Sequence, residues 1–179
     1  MTGRLTGTDV RGNTLNGNID TGLYLHDVKG ATIGGLLGAL EIHGSNFGVT
    51  AIGDLTGTQL VANHIHSNDN AGAFLMKAKN FELFRNTIEG NGPYGVLAFE
   101  GSTGTTISGN TIKESEAGVW LSGASGLTIG YDATGTPAAI RVGNKIHDNY
   151  NVGIIVQGST AADNRIPVSY THLTLPTKA

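Results

Sequence analysis

A chain of 179 residues without a cysteine is long enough for one domain with a buried core, and it excludes disulfides, thiolate chemistry and cysteine-ligated zinc. Its net charge of −3 and a charged fraction of only 14% give no electrostatic footprint for nucleic acid or an anionic membrane, and no apolar run approaches the roughly 20 residues that span a bilayer. Glycine, at 28 residues, is about twice as frequent as usual while proline stands at 4, which argues for many turns and against a disordered Pro/Gly tract.

The opening stretch, from Met1 to Leu15, has no apolar segment of signal-peptide type and runs straight into a repeat, so Met1 is read as a fragment boundary. The first unit sets Asn13-Thr14-Leu15 before a strand, Gly22-Leu-Tyr-Leu25, with Asn18 and Asp20 in the turn between. The second unit diverges: Leu40 takes the place of the asparagine ahead of Glu41-Ile42-His43, and Ser45 and Gly48-Val-Thr-Ala51 follow. The third reads Asn63-His64-Ile65-His66, Asn68 and Gly72-Ala-Phe-Leu75. The fourth reads Asn86-Thr87-Ile88, Asn91 and Gly95-Val-Leu-Ala98, and the fifth Asn110-Thr111-Ile112, Ser115 and Gly118-Val-Trp-Leu121.

The step from Asn63 to Asn86 is 23 residues and that to Asn110 is 24. A longer gap then accommodates an insertion of about ten residues, placed around 131–140, before Asn144-Lys145-Ile146, Asn149 and Gly153-Ile-Ile-Val156. Asn164-Arg165-Ile166 reads as a further Asn-x-Ile. Residues 167–179 carry neither the asparagine nor a glycine. They are read as an off-pattern tail of foreign read-through, beyond a repeat domain spanning 1–166, in which case the natural protein continues past 166.

A period of this length marks a solenoid, propeller or array. Short β-type runs between glycine and asparagine turns, with no helical spacing, make the fold class all-β. A leucine-rich repeat fits less well, because the second segment of each unit is a clear strand. The Asn-x-Ile and Gly-φ-x-φ markers, where φ is apolar, resemble those of right-handed parallel β-helices of the pectin-lyase-like superfamily, in particular the short repeats of bacterial surface and exported proteins. That resemblance implies a solenoid of about six coils, 23–24 residues each. Stacked at about 4.8 Å per coil, six coils make a rod of roughly 29 Å.

In such a coil Asn63, Asn86, Asn110 and Asn144 form a structural ladder, each bonding the turn backbone and the asparagine of the next coil. Alternation in the Gly-φ-x-φ strand sends the x positions outward: Tyr24, Thr50, Phe74, Leu97, Trp120 and Ile155. The next outward row holds His26, Met76, Phe99, Ser122 and Gln157. An outward stripe this rich in aromatic rings suits the apolar faces of sugar rings, so Tyr24, Phe74, Leu97, Phe99 and Trp120 are the candidate substrate-binding residues. The competing reading covers the same stripe with a neighbouring segment or partner chain. In enzymes of the resembling superfamily this face forms the substrate groove.

Candidate catalytic residues beside it are Asp20, His26, Asp69, Glu100 and Glu116. A lyase would need clustered acids holding calcium with a basic residue, and a hydrolase would need acids on neighbouring coils. No such set assembles from the spacing, and the Asp-Pro-His-Asp motif of mannuronan epimerases is absent. On another face Glu41 should stack under His64, and His43 under His66. No metal site is expected, but these four are the residues that would make one, of zinc or copper type.

The favoured function is a repeat scaffold of a bacterial extracellular or cell-surface protein, stalk-like or adhesin-like, binding polysaccharide along the stripe. The alternatives are a fragment of a polysaccharide lyase, hydrolase or C5-epimerase, and a periplasmic accessory protein for metal or carbohydrate. Expected partners are polysaccharide or neighbouring domains of the same polypeptide, with no nucleic acid and no membrane insertion, and the fragment is expected to associate end to end. No cofactor is expected, calcium entering only with the lyase alternative.

Overall fold

The computed structural model describes residues 7–130, 142–158 and 160–167. The insertion expected at 131–140 and the tail after Pro167 lie outside the described residues. Eighteen short strands, counted among the described residues, wind through three parallel sheets of six strands each. The first sheet stacks β1 (Asp9–Val10), β4 (Thr32–Gly34), β7 (Gln59–Val61), β10 (Glu82–Phe84), β13 (Thr106–Ser108) and β16 (Thr128–Ile129). The second stacks β2 (Thr14–Asn16), β5 (Glu41–His43), β8 (His64–His66), β11 (Thr87–Glu89), β14 (Thr111–Lys113) and β17 (Lys145–His147). The third stacks β3 (Thr21–His26), β6 (Phe47–Asp54), β9 (Ala71–Lys79), β12 (Tyr94–Phe99), β15 (Ala117–Ser122) and β18 (Val152–Gln157). Each lap visits the three sheets in turn. This is the parallel β-solenoid expected, with six strands per sheet.

Register is what turns the repeat into columns. In the second sheet Leu15, Ile42, Ile65, Ile88, Ile112 and Ile146 stand one above another and point inward. In the third, Leu25, Ala51, Leu75, Ala98 and Leu121 do the same, all fully buried. The first sheet contributes Ile33, Leu60, Leu83 and Ile107. In the second sheet a strand of three residues buries only its middle one, so each lap adds one aliphatic side chain there, while the longer strands of the third sheet add two, such as Val96 and Ala98. Phe81 and Leu55 fill the corners.

The asparagine ladder occupies the corner before the second sheet. Asn86 Oδ1 accepts from the backbone N–H of Asn63 at 2.9 Å and from its Nδ2 at 3.2 Å, and Asn110 Oδ1 does the same for Asn86 at 2.9 and 3.0 Å. Asn144 Oδ1 repeats the pattern with Asn110. Leu40, standing where the asparagine is missing, gives its N–H to Asn63 Oδ1 at 2.8 Å. A second ladder runs through Asn68 and Asn91 before the third sheet, and Ser45 and Ser115 take its place in their laps. The ladder steps are 23, 23, 24 and 34 residues, so the long step is absorbed without breaking the stack.

One sequence expectation needs correction. Asn164-Arg165-Ile166 is not another Asn-x-Ile lap of the second sheet. Arg165 bridges Thr128 of β16, and Asn164 Oδ1 accepts the N–H of Leu127, so this segment continues the first sheet. Most of the described glycines sit at positive φ, but the one that opens each Gly-φ-x-φ strand does not. A Cβ on Gly95 would stand 2.6 Å from both the Gly118 carbonyl oxygen and Ile112 Cγ2, and Gly72 and Gly118 are hemmed in the same way. Glycine is required there by close approach of the next lap. Gly34 is the opposite case: at φ +89 it is in the left-handed region, and a Cβ would also strike Asn63 Oδ1.

Candidate functional site

Two outward faces carry chemistry. The first is the third sheet, where register sets Tyr24, Thr50, Phe74, Leu97, Trp120 and Ile155 in one column. Tyr24 is 42% exposed and Phe99 38%, while Phe74, Leu97 and Trp120 are half-buried. Two rings that the strand pattern did not single out complete the face. Phe47 stacks on Phe74 with centroids 4.9 Å apart, and Tyr94 meets Trp120 edge-on at 5.0 Å. Both precede the marker glycine by one residue, outside the φ-x-φ alternation. Tyr24 and His26 make a looser edge contact at 6.3 Å. The result is one outward face carrying two packed ring pairs, Phe47 with Phe74 and Tyr94 with Trp120, each holding its partner's orientation.

The acids near this face do not converge. Asp20, Asp69, Glu100 and Glu116 are all exposed, and none enters a salt bridge among the described residues. Asp20 and Asp69 sit in the turn before the third sheet, where Asn46 occupies the intervening lap. Glu116 belongs to the same turn two laps on. Glu100 lines an open cleft with Ser122, Gly123, Ser125 and Thr160 at the C-terminal ends of the third-sheet strands. His26 lies 3.5 Å from Asp27.

The second face is the outer side of the second sheet. There Glu41 aligns with His64 and His43 with His66, as the repeat predicts. Glu41 Oε1 is 2.7 Å from His64 Nδ1 and 2.8 Å from His66 Nε2. The ligand atoms of Glu41, His64 and His66 all lie within 4.8 Å of one another. The imidazoles of His64 and His66 are stacked at 4.3 Å, and His43 lies flat against His66 at 4.7 Å, so His43 pads the group without pointing into it.

The other side of His64 is also occupied. Its Nε2 meets Glu89 Oε1 at 2.9 Å, and Glu89 Oε2 is 2.8 Å from Lys113 Nζ. The Lys113 ammonium, and then His64, hold the Glu89 carboxyl below its ordinary range. Lys113 is pushed upward in turn by Glu114 and Glu89. Polar residues from two neighbouring columns on four laps thus form a chain from Lys113 through Glu89 and His64 to Glu41.

The model for "right handed beta helix region" matches residues 2–166. No curated protein matches the chain. Among solved structures, the A-module of the mannuronan C-5 epimerase AlgE6 from Azotobacter vinelandii superposes with a TM-score of 0.53 at 20% identity, covering 91% of this chain and 38% of that one. This chain therefore spans well under half of that module, and the likeness is one of fold. A trypsin-treated variant of QnrB1, a plasmid-mediated fluoroquinolone resistance protein, aligns over 93% of this chain and 92% of its own at 13% identity, but with a TM-score of only 0.20. The stacked laps and the family match together mean that the chain belongs to the right-handed β-helix family.

Proposed function

We propose that this domain is a rigid polysaccharide-binding scaffold, working outside the cell or at a bacterial cell surface, with the glycan lying along the third sheet. The observation that carries the reading is the in-register outward column through Tyr24, Phe74, Leu97 and Trp120, reinforced by Phe47, Tyr94 and Phe99. In that column rings stand on alternate laps, with Thr50 and Leu97 between them, so Tyr24, Phe74 and Trp120 recur about every 9.6 Å, close to the length of two sugar units, and an extended chain can stack on every second unit. The column itself carries no charge, and the acids Asp20, Asp69 and Glu116 border it. That selects a neutral polysaccharide over a uronate polymer, whose carboxylates would be repelled.

Affinity electrophoresis against neutral glucans and mannans, with an alginate as the acidic counterpart, tests the proposal. Retardation is expected on a neutral polymer, and Trp120→Ala and Phe74→Ala should each weaken it by about tenfold, the worth of one stacked ring. No retardation on any polymer, or full binding by both variants, would overturn it. The enzymatic alternative rests on the fold of the epimerase module alone, and appearance of unsaturated or epimerised product from alginate would favour it instead.

A further inference from the structure

We propose that Glu41, His64 and His66 form a binding site for a divalent transition metal of the zinc type, held through Glu41 Oε1, His64 Nδ1 and His66 Nε2. Glu89 Oε1, on the carboxylate that Lys113 anchors, lies 2.9 Å from His64 Nε2 and fixes the orientation of that ring. His64 Nδ1, on the other edge of the ring, faces Glu41 Oε1 at 2.7 Å. His66 Nδ1 lies 3.1 Å from Ser67 Oγ, which leaves Nε2 turned toward the same carboxylate oxygen at 2.8 Å. Three ligand atoms from two laps thus converge within 4.8 Å of one another, and a divalent cation binds such a set by displacing the protons it shares.

Tetrahedral zinc with ligand bonds near 2.0 Å spaces its ligand atoms about 3.3 Å apart. The observed separations need to open by about half an ångström, within reach of side chains that are 24% to 42% exposed. Two imidazoles and one carboxylate form a donor set that suits zinc and leaves one coordination position to solvent. The Glu89–His64 hydrogen bond is the carboxylate–histidine support that metal-bound imidazoles need for orientation and basicity. The backbone supplies the rest: His64 and His66 point outward from one strand, β8, either side of the buried Ile65, and Glu41 comes from the adjacent β5. A bound ion would therefore cross-link two laps of the solenoid.

Isothermal titration of the metal-free protein with zinc chloride is the test, with histidine ring resonances followed in parallel. One saturable equivalent is expected, with the His64 and His66 signals shifted. Those of His26, on the third sheet, and His147, three laps along the column from His66, should stay in place. His64→Gln and His66→Gln should each abolish saturable binding while leaving the melting temperature of the metal-free protein unchanged, since both rings lie outside the core. Glu89→Gln keeps an acceptor but loses the charge, and should weaken binding by about tenfold. Absence of a saturable equivalent, or binding that persists undiminished in His64→Gln or His66→Gln, would overturn the site.

Discussion

At the scale of single residues, the fold depends on amides that are buried and fully used. Asn110 illustrates the arrangement: its Oδ1 accepts from the N–H and Nδ2 of Asn86, and its own Nδ2 donates to the carbonyls of Leu83 and Ser108 and to Asn144 Oδ1. Replacing it with alanine strands two donors of Asn86 where water has no access, and each orphaned group costs about 1–3 kcal/mol. Asn144 makes the same kind of bonds at a half-buried position, where solvent can replace them. Asn110→Ala should therefore lower stability in urea by upwards of about 2 kcal/mol, and Asn144→Ala by clearly less. Equal losses would mean that the ladder's strength does not come from burial.

At the scale of strands and laps, glycine sets how closely two laps approach. Gly95 lies in β12 with the carbonyl of Gly118 directly above the position of its absent Cβ, while Gly153, in the last strand of the stack, has only Ile146 Cγ2 at 3.7 Å. Gly95→Ala must push lap from lap or displace Ile112, an overpacking cost of about 1–3 kcal/mol, whereas Gly153→Ala meets ordinary van der Waals contact. Thermal melts followed by circular dichroism should separate the two variants by several degrees. If they melt together, close approach is not the reason for glycine at this position.

The same contrast explains which elements were legible beforehand. The second and third sheets announce themselves because an asparagine corner and a close-approach glycine tolerate few substitutes. The first sheet has no such marker: its strands read Thr-Ile-Gly, Gln-Leu-Val, Glu-Leu-Phe and Thr-Ile-Ser, sharing only one inward aliphatic residue. Asn164-Arg165-Ile166 was misassigned for that reason, since an asparagine can turn more than one corner. At the candidate sites, the pairing of Glu41 with His64 followed from register alone. The reach of Glu89 back to His64 did not, because it depends on a rotamer and on Lys113. Phe47 and Tyr94 were missed because their outward direction comes from the irregular entry into the strand, not from its alternation.

At the scale of the whole molecule, a solenoid is a one-dimensional stack in which each lap is stabilised by its neighbours, and the end laps have one neighbour fewer. The inward columns of the third sheet show the difference: Val119 and Leu121 are fully buried, but Val156, stacked on Leu121, is 44% exposed and Val152 is 40% exposed. Among the described residues β18 has no partner on its outer edge, so unpaired backbone groups and bare aliphatic side chains lie together at one end. β3 presents the complementary edge at the other end, with Leu23 only partly buried. A parallel strand of a second molecule could pair with either edge in the register already used inside the stack. The 179-residue protein should therefore associate head to tail, giving concentration-dependent growth in sedimentation and rods whose length rises in steps of about 29 Å. Val156→Lys places a charge in that junction and should return the protein to monomer without lowering the melting temperature of the inner laps. A species that sediments as a monomer at every concentration, or association untouched by Val156→Lys, would show that the end laps are not adhesive.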